Sequence, residues 1–383
     1  MLQNASVQRS LKVLGWILGA VLSALLIRNT VSQGQDFEVY WRAAQSMFVG
    51  ENPYDLAKYG AMVHKYPPWS TMLFLPLGIL SMATAKVVWA LLQLGSLYAL
   101  CFWVYSRARV RLGIVFGVAL AFWGIWAVHF LDAQVSLIVL ALSLFLLSSE
   151  SVVAQALSGY FLSFKVFPLL ALASVFQFKK TTTWLLCWVG VAGVSAIPLL
   201  YYYHGNVAQI LEMIPQWMVA ADSGDQLFGL EKTLGRDNQG LPALLIKTLG
   251  LTKIVAALIA AFAATCLQLF LQKKAKLQTH EKIAMWLSWT TVIHPLAWFH
   301  SFVYVFPLAC LVSEKAWVLQ KKWTWFAAIL SIAAVVAITQ KTLGAVGEYL
   351  EFFSIKAFGV IALNVVFTRL SMKATLDRAG ERV

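Results

Sequence analysis

Residues 84–106 read TAKVVWALLQLGSLYALCFWVYS, carry a single charge at Lys86, and run directly into Arg107-Ala-Arg109-Val-Arg111. As a helix this stretch would rise roughly 34 Å, enough to cross about 30 Å of hydrocarbon. Its apolar residues are continuous rather than alternating, which argues against a barrel strand. Backbone groups in lipid must be satisfied within the segment, so a helix remains. Working outward, comparable runs recur at about 11–27, 112–128, 135–148, 183–203, 242–271, 283–297, 302–314, 323–340 and 356–372. The whole chain is 60% hydrophobic and only 12% charged, against roughly a quarter charged in a soluble domain. The reading is an all-α polytopic membrane protein, a bundle of about 10–12 transmembrane helices forming one integral membrane domain over 1–383. Residues from about 311 onward would supply the C-terminal helices and a short cytoplasmic tail.

Basic clusters mark the cytoplasmic loops: Arg9/Lys12, Arg107/Arg109/Arg111, Lys179/Lys180, Lys273/Lys274/Lys276/Lys282, Lys315/Lys321/Lys322, and Lys373 onward. This threading leaves the opposite face neutral overall and gathers the net charge of +13 on the basic side. The high isoelectric point therefore reflects orientation in a cell membrane, not nucleic-acid binding. Residues 152–178 do not fit as a single crossing, which would place Lys179/Lys180 outside and invert every later loop. A hairpin entering and leaving from the cytoplasmic side restores the order, with its apex at Ser163-Phe164-Lys165-Val166-Phe167-Pro168, where Pro breaks the helix. A half-helix starting at Pro168 would then point its positive end inward. One tilted helix with a snorkelling Lys165 is the alternative.

Two external segments, about 29–83 and 204–240, exceed the length of ordinary connections. The first holds Phe37, Tyr40, Trp41, Phe48, Tyr54 and Trp69, which suits interfacial helices. Cys101, Cys187, Cys266 and Cys310 each lie singly in an apolar run and read as packed thiols. The run 11–27 lacks a following small-residue processing site and reads as an anchor.

The candidate chemistry falls at external ends of spans. Asp36 and Glu38 stand just beyond the first run; a partly shielded carboxylate suits a general base, and Asp36 equally suits a helix cap. Tyr66 precedes Pro67-Pro68 and could face a ligand. His129, Asp132 and Gln134 fill a short turn that either lines a cavity or is solvated. Asn238 and Gln239 offer donors and acceptors for sugar hydroxyls or phosphate oxygens, and also suit a turn. His294-Pro295-Leu-Ala-Trp298-Phe-His300 joins two spans; its spacing is not that of a zinc site, and His300 is either a packing or a functional imidazole. Asp36, Tyr66, Gln134, Lys165, Asn238 and His300 thus supply a base, a cation, amides and an imidazole toward one cavity.

In this order the motifs resemble those of the membrane glycosyltransferases of the GT-C class, and most closely glycosyltransferase family 87, the polyprenol-phosphate-mannose-dependent alpha-mannosyltransferases. Asp36 to Tyr40 is similar to the family's Asp-x-x-x-Tyr, Gly50 to Tyr54 to its Gly-x-x-Pro-Tyr, and Tyr66-Pro67-Pro68 to its Tyr-Pro-Pro. Ala133-Gln134, Gly159 with Lys165 to Pro168, Asn238-Gln239-Gly240-Leu241 and His294 to Ser301 resemble the remaining elements. Ser301 stands where the family has a second His, and Gly240 where it has Ser. The resemblance covers about 30–310. It implies a GT-C-type bundle, a polyprenyl-phosphate sugar donor, a lipid or glycan acceptor, and inverting transfer on the external face. Asp36 would be the catalytic base, with Tyr66, Gln134, Lys165, Asn238, Gln239, Trp298 and His300 binding substrate. No cofactor and no required metal are expected. A transporter or flippase of a lipid-linked sugar is the alternative, although such proteins usually carry repeated halves and no repeat is visible.

Overall fold

The structure is a computed structural model that describes residues 5–223 and 238–380; residues 224–237 of the second long segment lie outside the described residues. All regular secondary structure among the described residues is helical. Five helices are individually long and apolar enough to cross a bilayer. Three further pairs, bent by 52°, 63° and 93° at short breaks, raise the number to eight if each pair is one span. Ser136–Leu147 and Val152–Ser163 are apolar but shorter.

Helix α1 (Ala5–Ser32) turns at Gly34 into α2 (Gln35–Phe48). Phe37, Tyr40, Ala43, Ala44 and Met47 of α2 are buried while Arg42 pairs with Glu38 on its exposed face at 2.7 Å. That one-sided pattern is what lays α2 across the end of the bundle rather than through it. Short helical pieces at Leu56–Tyr59, Gly60–Met62, Pro68–Leu73 and Leu75–Gly78 follow α2. Helices α3 (Met82–Ser106), α4 (Leu112–Ala121), α5 (Trp123–Asp132) and α6 (Ser136–Leu147) follow. Helix α7 (Val152–Ser163) rises to Lys165, and a 3-10 helix (Phe167–Ser174) returns along it, followed by α8 (Thr181–Tyr202) and α9 (Val207–Asp222). The chain therefore does reverse at Lys165–Pro168; the half-helix expected at Pro168 is 3-10 rather than α.

The expected single run 242–271 is two helices, α10 (Leu241–Leu249) and α11 (Lys253–Lys274). Gly250 stands at φ +63 and ends the first, and the Thr252 side chain caps the second. Hydropathy alone does not register such a break. Helix α12 (Thr279–Ile293) is buried on every side from Ile283 onward and forms the centre of the bundle. A 3-10 helix (Phe299–Val305) leads to α13 (Phe306–Leu319), then α14 (Lys322–Val336), α15 (Gln340–Phe352) and α16 (Ile355–Gly380). Helix α15, perpendicular to α14, has no counterpart among the expected spans. Of the four cysteines Cys310 is buried, but Cys266 is exposed on α11, so the packed-thiol reading fails there.

Candidate active site

One turn organises the polar end of the bundle. Ala133, at φ +55, ends α5 and throws Gln134 into the space beneath α2. Helix α3 pins this turn: Trp89 Nε1 donates to the Ala133 carbonyl at 2.9 Å and Gln93 Nε2 to the Gln134 carbonyl at 2.9 Å. Gln93 Oε1 in turn accepts from Thr30 Oγ1 at 3.0 Å. With its backbone fixed, the Gln134 side chain acts as a bridge. Its Nε2 donates to Asp36 Oδ2, and its Oε1 accepts from Lys165 Nζ at 2.9 Å and from the Tyr66 hydroxyl at 3.4 Å. The Tyr40 and Tyr66 hydroxyls lie 3.2 Å apart, and Lys165 Nζ stands 5.5 Å from the centre of the Tyr66 ring. One amide thus holds a carboxylate, an ammonium and a phenol in fixed relation.

The hairpin apex is strained. Val166 has φ +60 and ψ −61, and Phe167 N–H donates to the Lys165 carbonyl at 2.7 Å across it. This is a γ-turn of the rare hand on a β-branched residue. Pro168 in the first turn of the 3-10 helix fixes the exit. The result presents Lys165 upward from below, opposite Asp36.

These groups line a cavity of about 310 Å3 together with Trp298, His300, Ser301 and His294. Lys65 and Trp217 also line it. Burial raises the Asp36 carboxyl to about 7, the charge of Asp132 adds to this, and Lys165 and Lys65 oppose it. Burial lowers the Lys165 ammonium to about 8 against the pull of Asp36 and Asp132. His300 Nδ1 lies 3.3 Å from Asp132 Oδ2, which turns the other ring nitrogen away from Asp132. Burial also lowers His294 to about 3, so it is neutral; its Nδ1 accepts the Leu296 N–H at 2.9 Å and its ring packs 4.7 Å from that of Phe167.

Asp36, Tyr66, Gln134, Lys165, Trp298 and His300 are therefore brought together. Asn238 and Gln239 are not among the lining residues, and both are fully buried. Asn238 Nδ2 donates to the Pro295 carbonyl at 2.5 Å and its Oδ1 accepts from Ala297 N at 3.0 Å. Gln239 Nε2 donates to the Glu351 carbonyl at 2.5 Å. These amides hold the loop that carries Trp298 and His300. Gly240 has no room for a Cβ, which would meet the His294 carbonyl. Two lining groups, Lys65 and Trp217, were not singled out from sequence and carry no signal there; Asp132, named with its turn, stands beside the cavity against His300.

A second, apolar cavity of about 370 Å3 lies beside the first, between α7, α8, α9 and the Pro68-Trp69 turn. Trp69 faces it and meets Trp217 of the polar cavity edge-on at 5.7 Å. Ser163 belongs to the apolar side and Phe164 and Lys165 to the polar side, so the hairpin apex forms part of the shared wall.

A shielded carboxylate facing a cation and an imidazole can take a proton from one group while steadying negative charge on another. Residues 64–293 match the family model of glycosyltransferase family 87. The chain belongs to glycosyltransferase family 87. It is a glycosyltransferase, and its apolar helices make it a multi-pass membrane enzyme of that family. Tyr66, Gln134, Lys165, Asn238 and Gln239 fall within the matched stretch; Asp36 precedes it, and Trp298 and His300 follow it. Comparison with curated proteins and with solved structures finds no match to the chain.

Proposed function

We propose that this family 87 glycosyltransferase draws its sugar, mannose by resemblance, from a polyprenyl-phosphate carrier. It passes the sugar to a hydroxyl of a lipid or glycan acceptor on the extracytoplasmic side of the cell membrane. Asp36 takes the proton of the acceptor hydroxyl as that oxygen attacks the anomeric carbon. The bond from that carbon to the phosphate oxygen breaks, and its electron pair leaves with the lipid phosphate. Lys165 and His300 meet the developing charge, so the leaving group needs no proton. A single displacement from the far face inverts the anomeric centre. Tyr66, Gln134 and Trp298 orient the reactants, and no divalent metal is required.

The observation that supports this reading is the Gln134 bridge, which holds the Asp36 carboxylate and the Lys165 ammonium in one cavity. A base is most useful when its pKa lies near the working pH, and Asp36 is raised to about 7. The adjoining apolar cavity supports a lipid-borne donor, since an isoprenoid chain could lie there with its phosphate at Lys165. The extracytoplasmic orientation rests on the basic loops, which the positive-inside bias assigns to the cytoplasm. The test is a panel of radiolabelled polyprenyl-phosphate sugars incubated with the enzyme in vesicles. A new glycosidic bond made by the wild type and lost in Asp36→Asn is expected. Sugar carried across the vesicle membrane unchanged would refute the transferase step.

A further inference from the structure

The C-terminal helices, beyond the stretch matched by the family model, reach the candidate active site through a buried ion pair. Lys356 is 1% exposed and Glu351 8%, in a part of the bundle where unpaired charge is costly. Lys356 Nζ donates to the Ile338 carbonyl at 2.5 Å and stands 3.5 Å from Glu351 Oε1. Glu351 Oε2 accepts the Gln340 N–H at 3.0 Å. Ile338 lies just past the end of α14 and Gln340 opens α15, so the pair closes both free ends of the 93° break between them. The cation meets the carbonyl end and the anion the amide end, the arrangement that complements the helix dipoles.

The same two residues bear on the loop above. Lys356 Nζ lies 5.3 Å from the ring centre of Phe299, which stands between Trp298 and His300. The Glu351 carbonyl accepts from Gln239, which is joined through its own N–H to the Ala297 carbonyl at 3.0 Å. Ser354, at φ +55, donates to the Gly240 carbonyl at 3.2 Å, and Gly240 rests against His294. Contacts therefore run without a gap from the ion pair to both sides of the 294–300 loop.

We infer that Lys356, paired with Glu351, is a positioning residue of the transferase: it sets where Trp298 and His300 stand while touching no substrate itself. The inference rests on the proposed role of that loop in the donor site. A closed helix break needs only backbone partners for Ile338 and Gln340; the placement of the cation under Phe299 is what a merely structural pair would not need.

The test compares the double variant Glu351→Gln/Lys356→Met with Lys356→Arg and with the wild type, on whichever labelled polyprenyl-phosphate sugar the wild type turns over. Removing both charges together leaves no orphaned ion, so the double variant is expected to insert and melt near the wild type. Its kcat per folded molecule should fall at least ten-fold, since a shift near 1 Å at a reacting group can cost about 100-fold. Its KM for the donor should change less than three-fold. Lys356→Arg, which keeps the cation over Phe299 and a donor for Ile338, should recover most of the lost kcat. A double variant with wild-type kcat, or one whose activity falls only in step with its folded fraction, overturns the inference. A wild type inactive on every polyprenyl-phosphate sugar instead overturns the proposed donor.

Discussion

Replacing Gln134 by Leu keeps most of the side-chain volume and deletes the bridge. Two hydrogen bonds to ionised groups are lost, from Gln134 to Asp36 and from Lys165 to Gln134. Each such bond contributes about 1.5–3 kcal/mol. The first loss bears on the base, because the amide N–H favours the ionised carboxylate. At about 1.4 kcal/mol per pH unit, the Asp36 carboxyl should rise by a further one to two units from about 7. The ionised fraction at pH 7 would fall from about half to a few per cent. Because Asp36, as the proposed base, can take a proton only when ionised, the wild-type rate should climb through about pH 7 and decline as Lys165 loses its proton near pH 8. In Gln134→Leu the climbing limb moves to about pH 8–9, and kcat at pH 7 drops about 5- to 50-fold. The assay is single-turnover transfer from a labelled donor between pH 5.5 and 9.5. An unmoved acid limb, with a rate within two-fold of wild type, would show that the bridge does not govern the base.

Asp36→Asn should abolish transfer while leaving expression and membrane insertion intact, measured as labelled product against membrane-fraction yield. The carboxyl of Asp36 is raised from 3.8 to about 7, so its contribution to stability is present at low pH and is lost as pH rises through about 7. Asp36→Asn should therefore gain in Tm relative to the wild type between pH 5 and pH 8. Lys165→Ala should slow donor turnover more than it weakens acceptor binding, read as a kcat loss exceeding any acceptor KM change. Gly240→Ser restores the residue of the family pattern, yet its Cβ would meet the His294 carbonyl. A cost of about 1–3 kcal/mol should appear as a lowered Tm together with reduced kcat. Incubation with EDTA should leave the transfer rate within two-fold, as tested by adding back Mg2+ and Mn2+.

The membrane class was legible because hydropathy depends only on local composition, and runs such as 84–106 have no other use in water. The hairpin was legible for a different reason: charge parity around Lys179/Lys180 demanded a reversal, and Pro168 marked where. What sequence pattern did not reveal were features settled by distant partners. The break at Gly250 lies inside a run whose overall hydropathy carries across Lys247 and Lys253, and φ +63 at one glycine decides it. Helix α15 escaped because Lys341, Glu348 and Glu351 interrupt its apolar residues, so it is amphipathic and does not read as a membrane-crossing run. Asn238 and Gln239 carry chemistry suited to a sugar, but their amides are drawn to the carbonyls of Pro295 and Glu351. A buried backbone carbonyl must be paired, and no residue-level pattern says which side chain will do it. Asp132 was visible beside Gln134, yet only the fold brings His300 within 3.3 Å of it.

The central claim is that Asp36 deprotonates an acceptor hydroxyl attacking a lipid-borne phosphosugar. The most direct measurement is the anomeric configuration of the product by NMR, made from a donor of known configuration by wild type and by Asp36→Asn. Inverted product from the wild type and none from the variant is the result expected. Product of retained configuration, or undiminished transfer by the variant, would contradict it.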